Sequence, residues 1–241
     1  MAAALPRRRL QRLIDLLLPR CCLLCGLASG SGNLCGPCRE DLPRTRHPCR
    51  RCALPLATGA DTVCGACLRR PPAWDSAIAG LNYAFPVDYL VCRFKFNRSL
   101  AAGDVLGHEL LGEIQRRANG LPQALVPVPL HWARQLRRQF NQAEVLARQL
   151  AEPLGLPVLT RLLYRSRHTR AQSGLDAKDR RRNLAGAFTV RNSAANPPRW
   201  TNVALVDDVC TTGATLEACA LALRKAGIRR VSVWVASRSP P

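Results

Sequence analysis

Aromatic residues are scarce in this chain: Phe, Trp and Tyr make up 5% of its 241 residues. That scarcity argues against RNA-binding modules that stack bases on rings. An aliphatic composition suits an α/β core of Leu, Val and Ala instead. Several motifs are missing too: there is no G-x-G-x-x-G, no Walker A lysine loop and no Ser-His-Asp arrangement. The four histidines match no metal spacing. His47, His108 and His168 read as surface or packing residues, and His131 stands apart because it lies in a proline-rich loop. No secretory signal is apparent. After Arg7, Arg8 and Arg9, the run Leu13-Ile14-Asp15-Leu16-Leu17-Leu18-Pro19 is too short to span a bilayer and carries an aspartate. Leu10, Leu13, Leu17 and Leu18 share one face of an amphipathic helix, which suits packing on its own domain better than a membrane surface. A cytoplasmic protein without an integral membrane segment is expected.

Acidic residues are also few, 16 against 36 Lys and Arg, for a formal net charge of +20. Such an excess is either a solvated basic surface or a match for a polyanionic substrate or nucleic acid. Part of it is nominal. A Cys₄ zinc site holds four thiolates against one Zn²⁺, so two such sites would lower the total to about +16.

Of the twelve cysteines, eight form four Cys-x-x-Cys pairs. Cys22/Cys25 and Cys35/Cys38 have nine residues between them; Cys49/Cys52 and Cys64/Cys67 have eleven. Each pair is a knuckle presenting two thiolates to a tetrahedral Zn²⁺. Gly26, Gly36 and Gly65 follow or sit within knuckles, where tight turns need them. Sequential pairing gives two zinc ribbons; crossed pairing, first with third and second with fourth, fits the spacing as well. Cys21, beside Cys22, is an alternative ligand. No open coordination position is evident, so one or two structural zinc ions are expected, stapling a segment too small to hold its own core.

Arg69-Arg70-Pro71-Pro72 reads as a boundary, with an N-terminal helix and double zinc ribbon over 1–71 and an α/β domain over 74–241. In the latter, Ala77–Tyr83 predicts a strand. Val87–Phe94 predicts a helix, followed by a basic turn at Lys95, Asn97 and Arg98. Leu100–Arg117 predicts a second helix, with Leu106, Leu110 and Ile114 on one face. Ala124–Val126 is a strand ended by Pro127. Pro127 and Pro129 shape a rigid loop through Val128 and His131, and Arg134, Arg137 and Arg138 precede a helix from Phe140-Asn141-Gln142 to Leu150. A basic loop after a strand suits a pyrophosphate, and a solvated helix face accounts for the arginines equally well. Arg161–Arg182 holds eight Lys and Arg against Asp176 and Asp179 and shows no clear periodicity. Arg165–Arg182 has the character of a lid over a pyrophosphate, or of a nucleic-acid-binding loop. Phe188–Val190 and Ile228–Val235 read as further strands.

The chain is organised around Val203-Ala204-Leu205-Val206-Asp207-Asp208-Val209-Cys210-Thr211-Thr212-Gly213-Ala214-Thr215. A buried parallel strand comes first. Two carboxylates stand where it should run out, then a loop of hydroxyls and a glycine. Leu216, Cys219, Ala220 and Leu223 continue as a helix that Gly227 ends. A helix N-terminus offers free N–H groups and positive dipole to an anion; Thr211, Thr212 and Thr215 add donors, and Gly213, with Ala214 following it in the loop, allows close backbone approach. Asp207 and Asp208 would repel that anion in direct contact, but they accept well from the 2′- and 3′-hydroxyls of a ribose. The spacing therefore suits a ribose over the acids with its 5′-phosphate in the loop. This run resembles the phosphoribosyl pyrophosphate (PRPP) motif of type I phosphoribosyltransferases. Cys210 reads as a small core residue, with a redox switch the alternative.

Together, several segments resemble the ComF (ComFC-like) family, a double zinc ribbon joined to a phosphoribosyltransferase domain. They are the four knuckles, Lys95 within Phe94-Lys95-Phe96, Val126–His131, Phe140-Asn141-Gln142-Ala143-Glu144, Thr169-x-x-Gln172-x-x-Leu175, Arg180-x-x-Asn183, Gly186-Ala187-Phe188 and the Asp207–Thr215 loop. The match covers nearly the whole chain, in order. At two places the chain departs from the pattern: Arg138-Gln139 stands for Arg-Gly, and Asn97-Arg98 replaces a nearby glycine. The resemblance implies an α/β fold with a phosphoribosyltransferase-type parallel sheet flanked by helices, and binding of Mg²⁺-PRPP. It implies Asp207 and Asp208 as catalytic residues, and Thr211–Thr215 as the 5′-phosphate site. Lys95, Val128, Pro129, His131, Arg167, Thr169, Gln172, Arg180 and Asn183 would serve the pyrophosphate and lid. It further implies a role in natural transformation, beside a competence helicase and imported single-stranded DNA.

Two readings follow. One is an enzyme that transfers phosphoribose from Mg²⁺-PRPP to an acceptor. The other is a non-catalytic adaptor that senses PRPP or holds DNA, with Arg180 and Arg182 among the DNA contacts.

Overall fold

The computed structural model describes residues 20–30, 32–57, 62–130, 140–165, 186–191 and 199–240. They fall into two compact units, Met1–Leu42 and Pro43–Pro241. The first holds the short helix α1 (Gly36–Glu40).

In the second unit, α2 (Gly65–Arg69) belongs to the second ribbon. There follow β1 (Ser76–Asn82), α3 (Val87–Phe96), α4 (Leu100–Arg117), β2 (Ala124–Pro127), α5 (Gln142–Leu154), β3 (Leu163–Arg165), β4 (Phe188–Val190), β5 (Asn202–Cys210), α6 (Ala214–Lys225) and β6 (Arg230–Arg238). β1, β6, β5 and β2 lie side by side in that order, all parallel; β3 and β4 form a small antiparallel ribbon. The parallel sheet is covered on both faces, as its nearly continuous apolar strands require. α4 packs on β1 and β6, and α5 on β2 and β5. Val203, Leu205, Val231, Val233 and Val235 alternate onto the face that meets Leu216, Cys219, Ala220 and Leu223 of α6.

The expected α/β architecture with an N-terminal cysteine module is therefore present. Pro127 extends β2 one residue past the predicted end. β2 is the last strand of its sheet, Leu125 N–H donates outward to Pro157 O and Val128 N–H donates inward to Val206 O. Alternation turns the nitrogen of Pro127 to the outer edge, where no ladder bond is lost. Arg165, expected at the start of the lid, ends β3; residues 166–185 lie outside the described residues, as do the N-terminal segment 1–19 and the arginine-bearing 131–139. Among the described residues no helix is long and apolar enough to cross a membrane. At the Asn97-Arg98 departure, Arg98 adopts a left-handed backbone with φ 55°, the conformation that favours glycine.

Candidate active site and metal centres

The cysteines resolve into two sets, Cys22, Cys25, Cys35 and Cys38, and Cys49, Cys52, Cys64 and Cys67, with the ligand atoms of each set within 4.8 Å of one another. The pairing is thus sequential. A tetrahedral ion with Zn–S bonds of about 2.3 Å places its sulfurs about 3.8 Å apart. Cys25 Sγ and Cys35 Sγ are 3.7 Å apart, as are Cys52 Sγ and Cys64 Sγ. Cys21 is exposed, bridges to Ala28 and stands outside the set. Electrostatics favours a cation at each centre. Burial disfavours the Cys22 thiolate, but backbone donors at Cys25, Cys35 and Leu24 outweigh it and bring the thiol down to about 6. Burial likewise opposes the Cys49 thiolate, and donors at Cys64, Cys52 and Arg51 bring it down to about 7. Within the same sets Cys38 is pushed up to about 12, chiefly by Cys35, and Cys67 is pushed up, chiefly by burial. Four adjacent thiolates need a divalent cation between them, and both centres fit structural Zn²⁺. After the first knuckle of each ribbon the chain turns through positive φ, at Gly26 (75°) and at Ala53 (56°). Gly36 and Gly65 instead open α1 and α2.

The carboxyl end of β5 carries the acid pair. β5 pairs with β6 as far as Cys210↔Arg238, so both aspartates are still within the strand. Asp208 is buried, and Lys95 Nζ at the end of α3 lies 3.1 Å from its Oδ2. Asp207 Oδ1 accepts from Asp208 N–H at 2.9 Å. Burial first, and the neighbouring Asp208 charge second, push the Asp207 carboxyl up to about 7. Beyond the acids the chain bends through Thr211 and Thr212 into Gly213, the N-cap of α6, with φ 74°. Gly213 has no side chain to cap α6, and Thr212 Oγ1 accepts from Ala214 N–H at 3.4 Å.

Lys95, Val128, Pro129, Asp207, Asp208, Thr211 and Thr215 line one cleft of about 280 Å³, together with Tyr83, Asn141, Gln142 and Arg165. Thr212, Gly213 and Ala214 line a neighbouring cavity of about 370 Å³, which Thr211 shares. His131, Arg167, Thr169, Gln172, Arg180 and Asn183 lie outside the described residues. Asn141 plays two parts. It caps α5 by accepting from Ala143 N–H at 3.1 Å, and its Nδ2 donates to Val128 O at 3.1 Å. One side chain thereby starts the helix and fixes the proline loop facing the acids. Cys210 is buried, and burial raises its thiol, which suits a core residue.

These features define a class: a parallel α/β protein with an acidic pair at a strand's end, a threonine-rich loop feeding a helix, and two Cys₄ centres before it. The model of the double zinc ribbon domain family matches residues 13–68. Competence protein F of Haemophilus influenzae is 37% identical over 224 residues, 90% of this chain and 96% of that protein. DNA utilization protein YhgH of Escherichia coli K12 is 35% identical over 230 residues, 93% and 99%. Competence protein ComFC of Bacillus subtilis is 28% identical over 202 residues, 81% and 79%. The chain belongs to the ComF family.

Proposed function

We propose that the cleft at the end of β5 binds Mg²⁺-PRPP and that the protein transfers its phosphoribosyl group to an acceptor during the use of incoming DNA. The observation that carries this reading is that Asp207, Asp208 and Lys95 line one cleft with Thr211 and Thr215, the two ends of the loop. The ribose 2′- and 3′-hydroxyls donate to the carboxylates, and the 5′-phosphate takes the N–H groups that open α6. Lys95 and the Val128–Pro129 loop face the pyrophosphate. Mg²⁺ arrives with the substrate, held largely by phosphate oxygens. The acceptor's electron pair forms the new bond at C1′. The C1′–O bond breaks, its electrons leave with pyrophosphate, and the acceptor loses a proton. The Lys95 cation offsets the charge that develops on the leaving group. The names of the relatives, competence and DNA utilization proteins, support a setting in the use of DNA; a place in the cytoplasm and a competence helicase partner are proposed on the family resemblance. The test is pyrophosphate release from Mg²⁺-PRPP in the presence of single-stranded DNA or nucleobases. Release that disappears in Asp207→Asn/Asp208→Asn supports transfer. Bound but unconsumed PRPP leaves a sensor.

A second reading, DNA handling without catalysis, has its own observation. Arg46, Arg50, Arg116 and Arg117 line a cavity of about 390 Å³ near the starts of β1 and β6, at the end of the sheet opposite the acids. Arg116 and Arg117 share Glu113, so the group keeps a net positive charge toward a phosphate backbone. In a salt titration of single-stranded DNA binding, Arg46→Ala/Arg50→Ala lowers the slope by about 1.4 if both residues touch phosphates. An unchanged slope removes them from the DNA site.

A further inference from the structure

Two residues outside the sequence-predicted site join the second ribbon to the phosphate loop. Arg238 is the last residue of β6 and only 6% exposed. Its Nε donates to Cys52 O at 2.9 Å, and its Nη1 donates to Cys210 O at 2.9 Å, to Thr211 O at 2.5 Å and to Ser239 O. All four acceptors are backbone carbonyls, so the buried cation reads backbone position. Trp74 is the second link. Its Nε1 donates at 2.6 Å to Arg51 O, inside the Cys49–Cys52 knuckle. Its ring underlies Gly213 so closely that a Cβ there would lie 3.0 Å from Cη2. One residue thus holds the start of the loop, at Cys210 and Thr211, and the other holds its end, at Gly213.

We propose that Arg238 and Trp74 are positioning residues through which the metal centre of the second ribbon sets the geometry of the phosphate loop. Leu54, Leu56 and Val63 are the partly buried apolar residues, cysteines apart, packed against that ribbon's buried cysteine cluster. So small a core relies on its metal to hold a fold. When the ion leaves, the knuckle carbonyls at Arg51 and Cys52 lose their fixed places, and the loop loses the far ends of both struts. A loop that binds an anion through backbone N–H groups is sensitive to displacements well under an ångström. The consequence for substrate rests on the PRPP reading; the coupling of ribbon to loop does not.

The test uses the full chain without ligand. Amide hydrogen exchange is followed over Thr211–Thr215, with the α4 amides Leu106–Ile114 as an internal reference. Cys64→Ser/Cys67→Ser empties the second centre. Arg238→Lys/Trp74→Phe keeps all metal ligands and keeps a cation and a ring against the loop, but removes the Nε bond to Cys52 O and the N–H bond to Arg51 O. Emptying the centre speeds loop exchange by about tenfold with α4 unchanged, and cutting the struts does the same while two zinc ions remain bound. Emptying the centre in the strut-cut background adds less than about twofold. The proposal is overturned if strut-cut protein exchanges its loop at the wild-type rate. That result is decisive even if the cysteine variant fails to fold, which α4 would report. A further tenfold gain on emptying the centre in the strut-cut background also overturns it. Mg²⁺-PRPP titrations on the same proteins keep the two ideas apart. If the loop responds but wild type binds no PRPP, the coupling stands and the substrate is wrong.

Discussion

Lys95 Nζ and Asp208 Oδ2 lie 3.1 Å apart, the Asp208 side chain 10% exposed and the Lys95 side chain 21%. This ion pair ties the end of α3 to the end of β5, beside the Asp207 carboxyl. Removing one partner strands a buried charge. Lys95→Met is expected to destabilise the fold by about 2 kcal/mol and to weaken Mg²⁺-PRPP binding. Urea unfolding and a binding titration check both. Unchanged stability would show that the pair contributes nothing net.

Asp207 makes stability depend on pH. Its carboxyl rises from 3.8 to about 7 in the folded chain, by burial and then by Asp208. The folded state therefore binds this proton more tightly than the unfolded one. Stability from this group is present below pH 4 and falls as pH rises toward 7. Asp207→Asn removes the penalty. Its melting temperature should exceed that of wild type above pH 7, and the gap should close near pH 4. A gap independent of pH would contradict this.

Sequential pairing of the knuckles makes Cys21 and Cys22 inequivalent. Cys21→Ser is expected to retain two zinc ions per chain by elemental analysis, and Cys22→Ser to retain one. Equal loss from both variants would place Cys21 in the coordination shell.

At Arg98 the left-handed backbone, φ 55°, is held by a side chain with a Cβ and is exposed to solvent. Arg98→Gly is expected to stabilise the protein by about 1 kcal/mol. A loss of stability would mean that the guanidinium makes a contact worth more than the strain.

Much of the fold and site is legible in the sequence because it rests on local periodicity and spacing. The β5–loop–α6 run announces itself through apolar residues, adjacent acids and Thr-Thr-Gly. The knuckles fix which cysteines bind metal, but only three-dimensional packing fixes the pairing. Asn141 belongs to a visible motif, Phe140-Asn141-Gln142, yet its role is hidden there. A cap that also holds Val128 O depends on a loop thirteen residues upstream. Arg238 and Trp74 give no signal. The sequence predicts a last strand ending at Val235, and an arginine past that point reads as surface charge until the β6–β5 register brings it to Cys210. Pro127 reads as a strand end because sequence alone does not show that β2 is an edge.

The most direct test of PRPP binding at the acid pair is calorimetric titration of Mg²⁺-PRPP into zinc-loaded wild type and into Asp207→Asn/Asp208→Asn, with folding of both confirmed by thermal melting. Saturable binding to wild type, lost in the double variant, is the expected result. Absence of binding to folded, zinc-loaded wild type would contradict it and leave a basic DNA-handling scaffold.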